Sequence, residues 1–442
     1  MWKISRKFSS SQVIILGFAV VILLGSLLLM LPISTADGQG ASFSDTVFTA
    51  TSAVCVTGLV VKDTATYWSG FGQAVILLLI QIGGMGVVTF AVVISLAAGQ
   101  NISLRQRGTM QEAISAPKIG GIVKLTGFVI TTTAALELLG AAALSPVFCQ
   151  EFGPLRGMWY SLFHSVSAFC NAGFDLMGVR TPFSSLTSFS AHPLINLVIM
   201  ALIVTGGIGF MTWDDIKVNR LHFQRYRMQS KVILVTTVLL IVLPALYFFC
   251  FEFATLAPGT RFWGSLFQSV TARTAGFNTL DFSLMSEGGI GVMIVLMLTG
   301  GAPGSTAGGM KVTPLAVMIS TAVSVFRHRM DTHFFGRRIE EETVRSAMAI
   351  LTLYLTLFFT GGLLISQVEG LPLLTCLFES ASAMGTAGLT LGITAQLGPL
   401  SRAILILLMY SGRVGALTLI FAALSDIKGS PARLPREKLM VG

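Results

Sequence analysis

Four short stretches of this sequence repeat one pattern of residue types, and the pattern suits coordination of a bare cation by backbone oxygen. They read FTATSAVCVTGL from Phe48, FHSVSAFCNAGF from Phe163, FQSVTARTAGF from Phe267 and FESASAMGTAGL from Phe378. Each has Phe, Ser or Thr four residues on, then Ala, then a Gly followed by an apolar residue; the glycines are Gly58, Gly173, Gly276 and Gly388. Ser52, Ser167 and Ser382 stand six residues before their glycines and Thr271 stands five before Gly276, so the third copy is one residue shorter. A backbone that turns successive carbonyls toward one channel needs positive φ, which glycine adopts without a Cβ penalty. Rings of such carbonyls replace the hydration shell of a potassium ion, and the C-terminal dipole of a short preceding helix adds negative potential. Close helix packing explains any single glycine turn equally well. Four copies at a repeat length of about 100 to 115 residues favour a cation filter.

The elements around these stretches are membrane spans. Apolar residues make up 53% of the chain and charged ones 11%, which excludes an ordinary soluble surface. Long apolar runs lie near residues 11–32, 72–98, 119–145, 192–213, 230–250, 286–325, 345–366 and 399–425. Each reaches the roughly 20 residues that cross a bilayer, which gives eight spans. The first follows Lys3, Arg6 and Lys7 as a signal peptide would, but it lacks an A-x-A site and is long enough to span.

Basic residues crowd alternate connections: Lys3, Arg6 and Lys7; Arg105, Arg107, Lys118 and Lys124; Lys217, Arg220, Arg225, Arg227 and Lys231; Arg327, Arg329, Arg337, Arg338 and Arg345; Lys428, Arg433, Arg436 and Lys438. The positive-inside rule places these connections and both termini in the cytoplasm. The formal net charge of +9 therefore reports topology, and nucleic acid is not an expected partner. The outer connections carry few basic residues, and each holds a stretch of about ten residues, too short to cross and read as re-entrant.

The chain then divides into four units, residues 1–104, 105–224, 225–338 and 339–442, each reading span, short helix, glycine turn, span. Two crossings return the chain to the cytoplasm, so all four share one orientation and can surround one axis. Cys55, Cys149, Cys170, Cys250 and Cys376 show no CxxC or metal spacing, and the five histidines form no catalytic constellation. The chain reads as no enzyme and as holding no cofactor.

Two further features sit at membrane depth. The sixth run is broken by TGGAPGSTAGGMK, residues 299–311, whose glycines and Pro303 cannot sustain a helix and whose polar backbone must line a cavity. A phosphate loop fails there because Met310 follows Gly309 where G-x-x-x-x-G-K-[ST] needs lysine. Arg413 is a permanent charge inside the last span, facing a cavity or pairing with an acid such as Glu137. Lys311 either joins the loop's function or snorkels to the cytoplasmic interface. Arg273 stands beside the expected ion path, so its side chain points behind the filter, toward Glu252, Glu287 or Glu379. Asp175 and Asp281, just outside their filters, raise cation concentration at the mouth or are ordinary loop residues.

At these segments the chain resembles the potassium-translocating subunits of the Trk/Ktr/HKT superfamily, most nearly the bacterial KtrB-type subunit. The resemblance implies an all-α integral membrane fold of four tandem M1–P–M2 units (helix, pore helix, filter, helix) in pseudo-fourfold arrangement around one pore. It assigns the potassium-binding filter to Val54, Cys55, Val56, Thr57 and Gly58; to Phe169, Cys170, Asn171, Ala172 and Gly173; to Arg273, Thr274, Ala275 and Gly276; and to Met384, Gly385, Thr386, Ala387 and Gly388. Sodium-preferring plant relatives often have serine at the first filter glycine, so Gly58 favours potassium. The resemblance makes the broken segment, Gly300, Gly301, Ala302, Pro303, Gly304, Ser305, Thr306, Ala307, Gly308, Gly309 and Lys311, a gate below the filter, with Arg413 beside it.

It further implies potassium uptake across the bacterial cytoplasmic membrane, sodium as an activator, a homodimer and a cytoplasmic ring of KtrA-type nucleotide-binding regulatory subunits. The rival reading is an alternating-access secondary cation transporter, whose broken helices rock about a midplane site. Such proteins usually carry inverted repeats, whereas these four copies run one way.

Overall fold

The computed structural model describes residues 9–97, 104–114, 120–220, 222–415, 418–420 and 437. Lys3, Arg6, Lys7, Lys118, Lys428, Arg433, Arg436 and Lys438 lie outside them. The fold is helical, and the elements follow one another in four similar sets. The first comprises α1 (Ser10–Leu29), α2 (Phe43–Val54), α3 (Gly70–Met85) and α4 (Val87–Ala97). After α5 (Leu104–Ile114) come α6 (Ile122–Phe152), α7 (Pro154–Phe169), α8 (Pro193–Gly207) and α9 (Phe210–Asn219). The third set is α10 (Met228–Tyr247), extended by a π-helical turn over Phe248–Glu252, then α11 (Pro258–Thr271), α12 (Glu287–Thr299) and α13 (Val312–Phe326). A two-stranded ribbon, His333–Phe334 with Arg337–Arg338, precedes α14 (Glu341–Glu369), α15 (Leu373–Gly385) and α16 (Pro399–Val414).

The first helix of each set is long and apolar: 20 residues in α1, 31 in α6, 25 in α10 with its π turn and 29 in α14. At 1.5 Å per residue the shortest of them spans about 30 Å, the thickness of a bilayer core. Ser9 starts α1 with a capping box, its hydroxyl accepting from the Gln12 N–H while the Gln12 side chain accepts from the Ser9 N–H. Leu23, Leu24 and Leu27 of α1 and Leu239, Val242 and Leu243 of α10 face outward. The short helices α2, α7, α11 and α15 run 12 to 16 residues, longer than the ten or so expected, and their Ser- and Thr-rich C-terminal halves are buried. Two of the four begin at a proline, Pro154 or Pro258, whose missing N–H costs nothing in the first turn, and Pro372 stands just before α15 as its N-cap. Polar short helices thus fill the middle and leucine-rich long ones form the rim, the reverse of a soluble domain and the arrangement expected in lipid.

None of the four second helices runs straight through. The third was expected to break, and it does, over residues 300–311, since Thr299 still belongs to α12. The others break too: α3 and α4 part at Gly86, α8 and α9 meet at a 97° bend around Gly209, and α16 stops before Gly415, with helix resuming at residues 418–420. The residue at each break has nearly the same backbone, φ/ψ of 86/132 at Gly86, 87/143 at Gly209, 79/146 at Lys311 and 92/121 at Gly415. That region is open to glycine and strained for any residue with a Cβ, and one of the four is lysine.

Candidate functional site

Each short helix ends in a hydrogen-bonded loop anchored on its motif hydroxyl residue. The residue before the glycine returns its N–H to the carbonyl of that Ser or Thr: Thr57 to Ser52, Ala172 to Ser167 and Ala387 to Ser382, all at 2.8 Å, and Ala275 to Thr271 at 2.9 Å. In the third copy this bond spans four residues instead of five, so the missing residue is absorbed inside the loop. Beyond it all four strands agree. The residue two before the glycine has positive φ, at Val56 (56°), Asn171 (57°), Thr274 (76°) and Thr386 (51°), as does the glycine, at Gly58 (93°), Gly173 (69°), Gly276 (84°) and Gly388 (79°). A β-branched residue in that region costs roughly 1–3 kcal/mol, so three of these four positions are held there by their surroundings. Hydroxyls behind the strands help: the Gly58 N–H donates to Ser52 Oγ at 3.1 Å, and Ser167 and Thr271 donate to the carbonyls of Phe174 and Phe277 at 2.7 and 2.5 Å.

The four strands meet in chain order. A Cβ placed on Gly58 would lie 2.5 Å from the Ala172 carbonyl oxygen, and one on Gly173 would lie 2.7 Å from the Ala275 oxygen. One on Gly276 would lie 3.0 Å from the Ala387 oxygen, and one on Gly388 would strike the Thr57 oxygen, which closes the ring. Every glycine therefore leaves room for the carbonyl that precedes the next glycine. All four glycines also line one cavity of about 230 Å³, whose charged lining residues are Asp63 and Asp175. Asp63 accepts from the N–H groups of Ala65, Thr66 and Phe183 and from the Thr66 hydroxyl. Asp175 accepts from the Met177 N–H at 2.9 Å. Burial, reinforced by the charge of Asp63, raises Asp175 to about 7, while the Met177 N–H and the Ser185 hydroxyl oppose the rise. Asp281 instead caps the Ser283 N–H at the surface.

On the other side of the ring, the interruption between α12 and α13 lies directly under it. Thr306, fully buried, donates to the Phe169 carbonyl at 2.9 Å and accepts from the Asn171 amide at 3.0 Å. A Cβ on Gly308 would strike the Thr386 side chain, and one on Gly309 would lie 3.1 Å from the Gly385 carbonyl. The loop also bonds to the bend of the second set, Ala302 N–H to the Gly207 carbonyl at 2.9 Å and Phe210 N–H to the Gly304 carbonyl at 2.8 Å. Tyr354 of α14 donates to the Gly309 carbonyl at 3.1 Å. Gly300 and Gly301 make the entry, where a Cβ on Gly300 would lie 2.6 Å from the Gly308 carbonyl. Ser305 donates to the Ala302 carbonyl at 2.6 Å. Pro303, Gly304, Ser305, Ala307, Gly309 and Lys311 line a second cavity of about 250 Å³, together with Arg413.

Arg413 departs from the carboxylate pairing. Its guanidinium donates to the carbonyls of Thr306 in the loop and of Gly83 and Gly84 at the end of α3, the last at 3.1 Å. Glu137 instead accepts from Gln81 at 3.1 Å and from the Cys170 thiol. Five donors in a planar fork suit several carbonyls at once, which explains why no acid is needed. Lys311 does not snorkel; its ammonium donates to the Ala307 carbonyl at 2.5 Å inside the loop. Arg273 is buried, and its side chain makes no hydrogen bond or ion pair among the described residues. Glu252 serves Ser286, Glu379 serves Thr390 and Thr394, and Glu287 is exposed, so none of its expected partners reaches it.

A second repeat runs through the sequence at these breaks. GGMG at residues 83–86, GGIG at 206–209 and GRVG at 412–415 mark the breaks of three second helices, and GGMK at 308–311 carries the same frame with lysine last. The first glycines pack backbone to backbone: a Cβ on Gly83, Gly206 or Gly412 would strike the carbonyl of Val54, Phe169 or Met384, at the end of a short helix. Arg413 occupies the second position of its frame, where the other three have glycine.

Comparison with known proteins gives a concordant picture. The family model described as TrkH, cation transport protein, matches residues 2–428. The chain is 39% identical to the Ktr system potassium uptake protein B of Bacillus subtilis, over 99% of this chain and 97% of that one. It is 37% identical to the potassium/sodium uptake protein NtpJ of Enterococcus hirae, over 100% and 99% of the two. Its fold superposes on the crystal structure of the potassium transporter TrkH from Vibrio parahaemolyticus with a TM-score of 0.73, at 20% identity, covering 94% of this chain and 85% of the other.

Proposed function

The chain belongs to the TrkH family of cation transport proteins, and from that premise we propose that it takes potassium into a bacterial cell through a pore between its four repeats. It is a transporter and not an enzyme. The ion is stripped of water by backbone carbonyls of residues 54–58, 169–173, 273–276 and 384–388. The observation that carries this reading is the closed ring in which each glycine faces the carbonyl preceding the next. Four short helices direct their negative ends at that ring, which favours a cation over an anion. Backbone oxygens in a water-lined path are the chemistry by which potassium sheds its hydration shell.

Residues 300–311 act as the gate. The loop lies across the inner face of the ring, and its bonds to repeats 2 and 4, several of them to carbonyl oxygens, hold it there in the closed state. Arg413 both fastens the loop and places a fixed positive charge where a cation must leave. Opening exchanges these bonds for water or for the cavity wall. The four-unit division at residues 104/105, 224/225 and 338/339, cytoplasmic termini, a homodimer seated on a nucleotide-binding regulatory ring and activation by sodium complete the proposal.

Rubidium uptake by a bacterial strain stripped of its own potassium uptake systems tests it, with and without a nucleotide-binding regulatory subunit expressed beside the chain. Saturable uptake that potassium competes away is expected. No uptake under either condition, with the protein present in the membrane, would reject it.

A further inference from the structure

The bend in the second set leaves a basic cavity that the pore does not use. Helix α9 departs from α8 at 97°, and every third residue along it, Met211, Asp214 and Lys217, lines a cavity of about 580 Å³ against the start of α6. From α6 come Lys124 and Phe128, four residues apart and so on one helical face. Arg227, the N-cap of α10, completes the charged lining. The cavity thus joins three cations and one carboxylate to apolar side chains, on the side of the molecule where basic residues crowd the connections between spans.

These charges do not balance within the protein. Arg227 pairs with Asp214 at 3.2 Å and reaches Asp215 at 3.4 Å, and the buried Asp215 also accepts from the Arg227 N–H and the Ser230 hydroxyl. The two carboxylates therefore account for Arg227. Lys124 and Lys217 have no ion-pair partner among the described residues, and the Lys217 ammonium rests 4.4 Å from the centre of the Phe128 ring. Two unmatched cations beside an apolar wall, where a membrane helix begins, suit the phosphate of an anionic lipid: the lysines supply the charge, and Phe128 and Met211 meet the glycerol and the first methylenes of its chains. A dissolved anion would use the charge and leave the apolar wall wet.

We propose that this cavity holds the phosphate of an anionic phospholipid of the cytoplasmic leaflet between Lys124 and Lys217, and that the bound lipid steadies the gate. The inference rests on the topology and the pore reading above. The link to the gate is α9. Its first N–H, that of Phe210, donates to the Gly304 carbonyl at 2.8 Å, and a Cβ on Gly209 would lie 2.7 Å from the Pro303 carbonyl oxygen. Lys217 stands about two turns further along the same helix. A phosphate shared by Lys217 of α9 and Lys124 of α6 ties the helix that holds the loop to a long membrane span. A ligand favours the state whose contacts it completes, so the lipid holds the closed arrangement and its loss quickens flux.

Binding is tested by titrating the purified full chain, in a neutral detergent, with phosphatidylglycerol or phosphatidylcholine and counting retained lipid by native mass spectrometry. Phosphatidylglycerol is expected to bind about 10-fold more tightly, since each lysine near a membrane surface is worth roughly 5-fold in affinity for an anionic lipid. Both lysines are exposed, so replacing them leaves the fold intact. Lys124→Gln with Lys217→Gln loses the preference, and Lys124→Arg with Lys217→Arg keeps it. Arg337→Gln with Arg338→Gln removes two charges from the ribbon instead and also keeps it. A preference unchanged in the double glutamine variant overturns the site, as does an equal loss in the ribbon variant; displacement of the lipid by inorganic phosphate overturns the lipid assignment. The link to the gate is read from rubidium flux into vesicles of phosphatidylcholine alone and of phosphatidylcholine with phosphatidylglycerol. With phosphatidylglycerol the double glutamine variant is expected to conduct about 2- to 5-fold faster than the unaltered protein, a change within the worth of one lysine contact, and without it the two are equal. Equal flux in both compositions overturns that link. Absence of flux from every variant in both would reject the pore reading and leave the binding result standing.

Discussion

Gly58, Gly173, Gly276 and Gly388 are needed for two reasons that coincide: each has positive φ, and each lies where a neighbouring strand's carbonyl leaves no space for a Cβ. A serine at position 58 must push the Ala172 carbonyl away, since its Cβ would start 2.5 Å from that oxygen. Gly58→Ser is expected to reduce discrimination between potassium and sodium about 10-fold, equivalent to roughly 1.4 kcal/mol of lost preference; competition of sodium with rubidium uptake measures it. Arg413→Ala removes the donors that fasten Thr306 to Gly83 and Gly84 together with the charge below the ring. The expected result is faster rubidium flux, with Arg413→Lys between the two because it keeps the charge and loses the fork. At this scale the glycines were legible because conformation alone dictates them. The partners of Arg413 were not, because backbone carbonyls have no letter in the sequence, and the expected acid, Glu137, serves Gln81 and Cys170.

Among the elements, the broken second helices separate what periodicity can report from what it cannot. An apolar run of residues 72–98 reads as one span, yet the chain turns at Gly86 between α3 and α4 without any polar interruption. The 300–311 loop was visible because it is long and contains proline, whereas the one-residue breaks at Gly86, Gly209 and Gly415 showed only in a four-letter frame repeated far apart. Lys311 completes that frame in a conformation that suits glycine. Lys311→Gly and Lys311→Ala both remove the bond to Ala307, but glycine alone relieves the backbone, so the glycine variant is expected to unfold about 1–3 °C above the alanine variant. Equal thermal transitions of the two purified proteins would remove the strain argument. Deleting residues 302–309 takes away the bonds to Phe169, Gly207 and Arg413 in one step. Rubidium uptake is expected to rise several-fold, by at least as much as in Arg413→Ala, because the loop obstructs more than one side chain does.

The whole molecule is organised by what lipid forbids. Unpaired backbone polar groups cannot face hydrocarbon, so the carbonyl-rich strands and the 300–311 loop are enclosed by α1, α6, α10 and α14, whose exposed large apolar residues are mainly leucine and valine, with Met348 and Phe359 on α14. Composition and the eight apolar runs made this class legible, and four copies of one motif in one orientation suggested a common axis. The order in which strands adjoin, each glycine against the next repeat in the chain, required coordinates. So did the absorption of the missing residue in the third copy before Thr274, where local hydrogen bonds and not sequence spacing set the register.

The most direct test is anomalous scattering from crystals of the protein grown with rubidium in place of potassium. Density on the axis, coordinated by the carbonyl oxygens of Thr57, Ala172, Ala275 and Ala387, is the expected result. Rubidium bound away from that ring, between α8 and α12 for example, with none on the axis, would contradict the pore described here.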